Sequence, residues 1–163
     1  MVGTVVRRSG PADFGSAVEV WRAANAARLE GRASPPSVQI ERLRDALRDA
    51  DSFLFVADDG AISGMAVGMQ GLADDGAGPP IEGLLHVEAV FVAPERWGAG
   101  LGGELVEAVL SEARSRGYGH AQLWTHARNR RAQRLYEGRG FRRTGRKKRG
   151  DIGEAIVHLE RDL

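Results

Sequence analysis

The sequence predicts an α/β domain with a mixed, mostly antiparallel twisted sheet of about seven strands, flanked by four helices. Three observations carry this. The apolar pattern switches between period two and a three-to-four spacing in the order strand, two helices, three strands, helix, strand, helix, two strands. Two strand pairs close as hairpins, one about Asp58-Asp59-Gly60 and one about Gly150-Asp151. Finally, the stretch from His86 to Gly117 reads as a strand, a glycine-dense loop and a helix, and the rest of the chain is organised around it.

At 163 residues the chain has the size of one domain, expected to span residues 1–163, and can bury a proper core. It has no cysteine, so disulfides, thiolate metal sites and a cysteine nucleophile are excluded. Its 23 basic and 22 acidic residues nearly cancel. No apolar run approaches the length of a membrane span, and MVGTVVRRSG lacks the long apolar stretch of a signal peptide. A soluble cytoplasmic domain is expected, without a metal, since the histidines follow no ligand pattern.

The first strand, Thr4 to Arg8, is short and β-branched and stops at Ser9-Gly10-Pro11. A helix starts near Ala12 or Asp13, because Phe14, Ala17, Val18, Trp21, Ala24 and Arg28 keep helical spacing, with Phe14, Val18 and Trp21 as the apolar stripe. Gly31 to Pro36 breaks it. Ser37 is placed to cap a second helix, in which Ile40, Leu43, Leu47 and Ala50 recur while Glu41, Arg42, Arg44, Asp45 and Arg48 face water. SFLFVA and AISGMAVGMQ then form a hairpin, because Gly60 accepts the positive φ of a tight turn. Gly64 and Gly68 in its second strand imply close backbone approach or a bulge. Gly71 to Pro80 reads by composition as a mobile surface loop within the one domain.

In the strand from Glu82 to Val92, period two puts Val87, Ala89 and Phe91 on one face, and His86, Glu88, Val90 and Val92 on the other. Past the glycines, Leu101, Leu105, Val109 and Ala113 line a helix that Val106 and Leu110 widen and Gly117 ends. AQLWTH is the next strand, and Asn129 caps a helix from Arg130 to Arg139. Phe141 to Lys148 and Glu154 to Leu159 close the sheet.

Gly98, Gly100, Gly102 and Gly103 fall within six residues. Glycines this dense let backbone N–H groups converge where the positive end of the helix dipole sits, an anion cradle suited to a phosphate or pyrophosphate. Close packing of helix on strand is the structural alternative. A nucleoside triphosphate loop is excluded, because the glycines run into Glu104 and Leu105 where Lys and Ser or Thr are needed. Gly98, Gly100 and Gly103 spell G-x-G-x-x-G, the dinucleotide pattern. Against it, Pro94 to Trp97 separate strand from glycines, and AQLWTH ends without the acid that would hold a ribose. The third reading is the pyrophosphate arm of coenzyme A.

Two motifs support the third. Val92-Ala93-Pro94 followed by Trp97-Gly98-Ala99-Gly100-Leu101-Gly102 resembles the acetyl-CoA signature of the GNAT superfamily of N-acetyltransferases, in which a strand ending V-x-P leads into R/Q-x-x-G-x-G/A and a helix. Downstream, Asn129-Arg130-Arg131-Ala132-Gln133-Arg134-Leu135-Tyr136-Glu137-Gly138-Arg139-Gly140-Phe141 fits that family's N-x-x-A-x-x-L-Y-x-x-x-G-F in every fixed position. The resemblance covers residues 86 to 141 well and the rest in outline. It departs at Trp97, where the family usually carries Arg or Gln. Backbone donors do not depend on that side chain, so the cradle is expected to survive with one ionic contact fewer.

The resemblance implies a GNAT-like fold, acetyl-CoA as acyl donor, an amine acceptor and a possible homodimer. It implies that the two central strands splay and that pantetheine pairs with the backbone of Val90, Phe91 and Val92 as an added strand, with the Val92 N–H on the thioester oxygen. Further cofactor contacts fall on Trp97, Gly98, Ala99, Gly100, Leu101, Gly102, Gly103 and Asn129.

Tyr136 matches the family tyrosine whose hydroxyl bonds the CoA sulfur; without the motif it reads as core filler beside Leu135. Glu88 is an odd carboxylate in an apolar run, costly to bury unless paired or used. It is either the salt-bridge partner of His86 or an arginine, or a general base whose pKa its apolar neighbours raise. Several GNAT enzymes carry a Glu on this strand that draws the proton from the acceptor amine, usually through water. His126, otherwise a surface histidine, is the second candidate for base or substrate contact.

From Arg128 to Arg149 there are eleven Arg or Lys and one acid, Glu137. Such a block can bind nucleic acid, but it lacks interleaved aromatics beyond Tyr136 and Phe141 and spans a helix and a strand, so its charges should scatter as solvated surface with some help to the CoA phosphates. Two other functions remain in view: a non-catalytic acyl-CoA sensor of the same fold, and a nucleotide- or nucleic-acid-binding α/β domain. The acceptor is left open among an aminoglycoside, a polyamine, an amino acid and a protein N-terminus. In the resembling family the helical pair and its linker, here with Arg32 and Ser34, border the acceptor.

Overall fold

The computed structural model describes residues 3–29, 37–150 and 153–163. Among these the chain runs β1 (Val5–Arg8), α1 (Phe14–Arg28), α2 (Ser37–Arg48), β2 (Phe53–Asp58), β3 (Ile62–Leu72), β4 (Pro80–Val92), α3 (Leu101–Ser115), β5 (His120–His126), α4 (Arg130–Gly138), β6 (Arg142–Arg149) and β7 (Ala155–Asp162). The strands form one sheet in the order β1-β2-β3-β4-β5-β7-β6. Each neighbouring pair is antiparallel except β4 with β5, which α3 joins as a crossover. The mixed, mostly antiparallel α/β architecture is thus the one expected.

Each face of the sheet carries its own core. Under α3 and α4, Leu101, Leu105, Val106, Val109, Leu110 and Ala113 pack on Leu85, Leu123 and Leu159. Under α1 and α2, Val18, Trp21 and Leu43 pack on Leu54, Val56, Met65 and Val67. The helical stripe read from spacing in α3 is therefore the buried one, and a side chain as fully enclosed as Leu105 contributes on the order of 2 kcal/mol by transfer alone. Gly64 and Gly68 mark close approach as expected: a Cβ on Gly68 would lie 2.5 Å from the Phe53 ring, and one on Gly64 2.8 Å from Leu105.

Two expectations need correction. Gly71 to Pro80 is no long mobile loop, because β3 continues to Leu72 and β4 begins at Pro80. The turn between is closed by the Ala73 N–H on Pro79 O and the Gly78 N–H on Ala73 O, both at 2.8 Å. Composition marked a turn there and overstated its length.

Nor do Val87, Ala89 and Phe91 share a face. Val67 of β3 pairs with Ala89 while the next residue, Gly68, pairs with Val87, so Glu88 is an extra residue in a bulge. One inserted residue reverses side-chain parity. Leu85 and Val87 before the bulge, and Val90 and Val92 after it, face α3; Ala89 and Phe91 turn to α1. Arg32, Ser34, the Ser37 side chain and Asp151 lie outside the described residues.

The fold positions its site by a short pairing. β4 and β5 meet only at Leu84↔His120, Leu85↔Ala121 and His86↔Gln122. Beyond, β4 stays with β3 as far as Val92, and β5 stays with β7 as far as His126, so the two arms open into a V.

Candidate active site

At the end of the β4 arm, a single helical turn (Pro94–Arg96) leads into the glycine loop. Arg96 ties that turn to the β2–β3 hairpin through an ion pair with Asp59, and its Nη2 donates to Thr4 Oγ1 at 2.8 Å. Gly98 and Gly100 hold φ +85° and +82°, with open space where a Cβ would stand, so conformation alone demands glycine there. Gly102 serves close packing instead, since a Cβ there would lie 3.1 Å from Leu135 of α4, and one on Gly103 would meet the guanidinium of Arg139 just past that helix.

Gly100 is the N-cap of α3, and no side chain caps it. Leu101 is sunk in the core, 4% exposed, so the loop presents backbone N–H groups rather than side chains. The result is an uncapped, positive helix terminus at the mouth of the V.

The Ala93 N–H bonds Ser63 O of β3 at 2.8 Å. Successive residues aim their N–H and C=O at opposite edges, so Phe91 is directed to β3, while Val90 and Val92 are directed into the V. The Phe91 ring likewise packs on Trp21, with centroids 6.5 Å apart. Val92 O is taken by the indole N–H of Trp97 at 2.8 Å, which leaves the Val92 N–H and the Val90 backbone on the open edge. Trp97 is thereby a brace between loop and strand, a role its sequence position did not signal.

On the far arm, Asn129 Oδ1 accepts from the Ala132 N–H at 3.1 Å and caps α4, as its type and position suggested. Tyr136 lies in the α3/α4 core, 7% exposed, its ring edge-on to Phe141 at 5.9 Å. Burial pushes its hydroxyl pKa up, so the phenol keeps its proton. Gln133, a variable position of the motif, is 1% exposed and donates to the carbonyls of His126 and Ala127 at 2.8 and 2.9 Å. It pins the end of β5 to α4, and nothing in the pattern announced it.

The opposite face of the V is polar. A cavity of about 740 Å³ is lined there by Asp45, Asp49, His86, Glu88, Trp124 and Lys148, among others. Glu88 Oε2 is 2.9 Å from His86 Nε2, and His86 Nδ1 is buried with no partner among the described residues. The expected pairing with His86 and a position inside a cavity thus coexist at Glu88.

On β5, His126 Nδ1 is 2.5 Å from Glu154 Oε2, and Arg28 donates to the same oxygen at 3.2 Å. Burial, then the Arg28 charge, lowers the His126 pKa against the pull of Glu154, so the ring is neutral at pH 7. Glu154 and Arg28 were not legible as site residues, since neither stands near His126 in sequence. In the basic block, Arg139, Arg143 and Arg146 are neutralised by Glu107, Glu137 and Asp75.

This geometry offers an anion cradle, an open strand edge, a buried hydroxyl on one face, and a carboxylate and a neutral imidazole on the other. The profile of the acetyltransferase (GNAT) family matches residues 18–141. A comparison with curated proteins finds no match. Among solved structures, the Escherichia coli ribosomal-protein-S18-alanine N-acetyltransferase is similar at 19% identity and TM-score 0.75, over 99% of this chain and 94% of that one. The Brucella melitensis ribosomal-protein-alanine N-acetyltransferase is similar at 21% identity and TM-score 0.76, over 98% and 99%. The PaiA N-acetyltransferase of Thermoplasma acidophilum, solved with coenzyme A, is similar at 16% identity and TM-score 0.72, over 99% of both chains. At these identities the likeness establishes a shared fold.

Proposed function

The chain belongs to the GNAT acetyltransferase family, and on that premise we propose that it transfers an acetyl group from acetyl-CoA to a primary amine of a small molecule or peptide. The observation that carries this reading is the meeting of an uncapped α3 terminus with the open β4 edge at one end of the V. The pyrophosphate sits on the N–H groups of residues 98–103, and pantetheine extends β4 as an added strand on Val90 and Val92.

The acceptor enters from the cavity on the α1/α2 face. Glu88 takes a proton from its ammonium group, directly or through water, and the free amine attacks the thioester carbon. Charge gathers on the carbonyl oxygen, where the Val92 N–H donates to it. When the tetrahedral intermediate collapses, the C–S bond breaks and the electrons leave on sulfur. The Tyr136 hydroxyl, kept protonated by burial, donates a hydrogen bond to that thiolate, and the second proton that the attacking nitrogen sheds as the amide forms neutralises the sulfur. The attack is direct, within a ternary complex, in keeping with a chain that has no cysteine to carry an acyl group. His126 is the second candidate base, on the opposite arm.

Calorimetric titration with acetyl-CoA, free CoA and NAD tests the donor site. Binding of both CoA species without NAD is expected, followed by CoA release when the right amine is added. Absence of CoA binding overturns the reading; acetyl-CoA bound and never consumed by any amine makes the domain a sensor.

A further inference from the structure

Trp97 stands where the family signature has Arg or Gln, so the loop lacks the cation that an Arg there supplies. We propose that Arg131 of α4 replaces it: the guanidinium, stacked on the Trp97 ring, binds a phosphate group of the CoA moiety. This rests on the reading of acetyl-CoA as donor.

The Trp97 ring is a fixed platform, because its indole N–H is held by Val92 O at 2.8 Å. The Arg131 guanidinium carbon lies 3.6 Å from the ring centroid, closer than any other cation on an aromatic ring among the described residues. That stacking brings a charge from α4 across to the residue preceding Gly98, at the edge of the cradle.

Three features make the same charge unfavourable without a ligand. Arg131, like Arg130 and Arg134 of the same helix, has no carboxylate partner among the described residues, and of these three it alone is held against a ring. Desolvation lowers its pKa, although the residue as a whole is exposed. It also stands in the first turn of α4, which holds no acid, where the helix dipole opposes a cation. A phosphate relieves all three at once, and the flat guanidinium offers it paired donors. The distribution of charge is poor for an empty helix terminus and suited to a filled one.

Wild type, Arg131→Ala and Arg131→Lys are titrated calorimetrically with acetyl-CoA and with S-acetyl-pantetheine, which carries no phosphate on the arm. Arg131→Ala should weaken acetyl-CoA roughly tenfold and leave acetyl-pantetheine unchanged, with a shallower salt dependence, and Lys should recover part of the loss. The unliganded Arg131→Ala protein should melt close to wild type, since loss of the ring contact and relief of the dipole conflict offset each other. Equal affinity of Arg131→Ala and wild type for acetyl-CoA, or an equal loss for both ligands, overturns the inference. Failure of wild type to bind acetyl-CoA overturns the donor reading instead.

Discussion

The two faces of the sheet are made of different materials. Beneath α3 and α4 the packing is apolar, with Leu105, Val109, Leu110 and Ala113 fully enclosed, and what this side offers a ligand is mainly backbone at the loop of residues 98–103. Beneath α1 and α2 an apolar half around Trp21 and Met65 gives way to a cavity lined by Asp45, Asp49, Glu88 and Lys148, with His86 and Glu88 in contact. A common donor suits a rigid backbone cradle braced by a core. An acceptor that differs from enzyme to enzyme suits side chains, which change without disturbing the packing.

This contrast can be broken by substitution. Glu88→Gln should have the largest effect, lowering kcat by about a hundredfold or more while acetyl-CoA affinity and melting temperature hold, since a lost general base costs about that much. Should kcat hold in Glu88→Gln and collapse in His126→Gln, the base is on β5 instead. Leu105→Ala, on the other face, should destabilise by about 3 kcal/mol in urea unfolding and weaken acetyl-CoA with it, because the cavity forms directly behind the loop. Tyr136→Phe keeps the ring and removes the hydroxyl; kcat should fall roughly tenfold, with acceptor KM and unfolding midpoint nearly unchanged.

Gly100→Ala places a Cβ on a residue at φ +82°, at a cost of about 1–2 kcal/mol, and should weaken acetyl-CoA without altering discrimination among amines. The smallest effect is a pH dependence confined to the cavity side. His126 and His158 are both held below the ordinary value of 6.5, chiefly by burial. As pH falls through 6.5 the unfolded chain binds protons the native state refuses, so stability declines from there down to the lowered native values. His126→Gln should flatten that acid slope in a series of thermal melts.

Much of the α3 side was readable from residue order. The α3 stripe of Leu101, Leu105, Val109 and Ala113, the Asp-Gly hairpin, the Asn129 cap and the positive φ of Gly98 and Gly100 each follow from interactions spanning a few residues. Leu101 shows the limit even there, since its place in the motif did not reveal that its side chain roots the loop in the core. The cavity side was less legible. Glu88 stood out as a carboxylate in an apolar strand, but not as the bulge that turns Val90 and Val92 toward α3. A bulge is decided by the register of the partner strand, which period-two reading assumes rather than tests.

By itself the sequence determined the order and type of the elements and the two motifs, because periodicity, turn chemistry and caps act over short separations along the chain. Only the tertiary structure decided which charges meet. Arg28 and Glu154, 126 residues apart, join His126 because the end of α1 crosses the start of β7. Trp97 and Arg131 stack because α4 lands beside the α3 loop. Such contacts depend on how whole faces pack against one another, and no local preference encodes them.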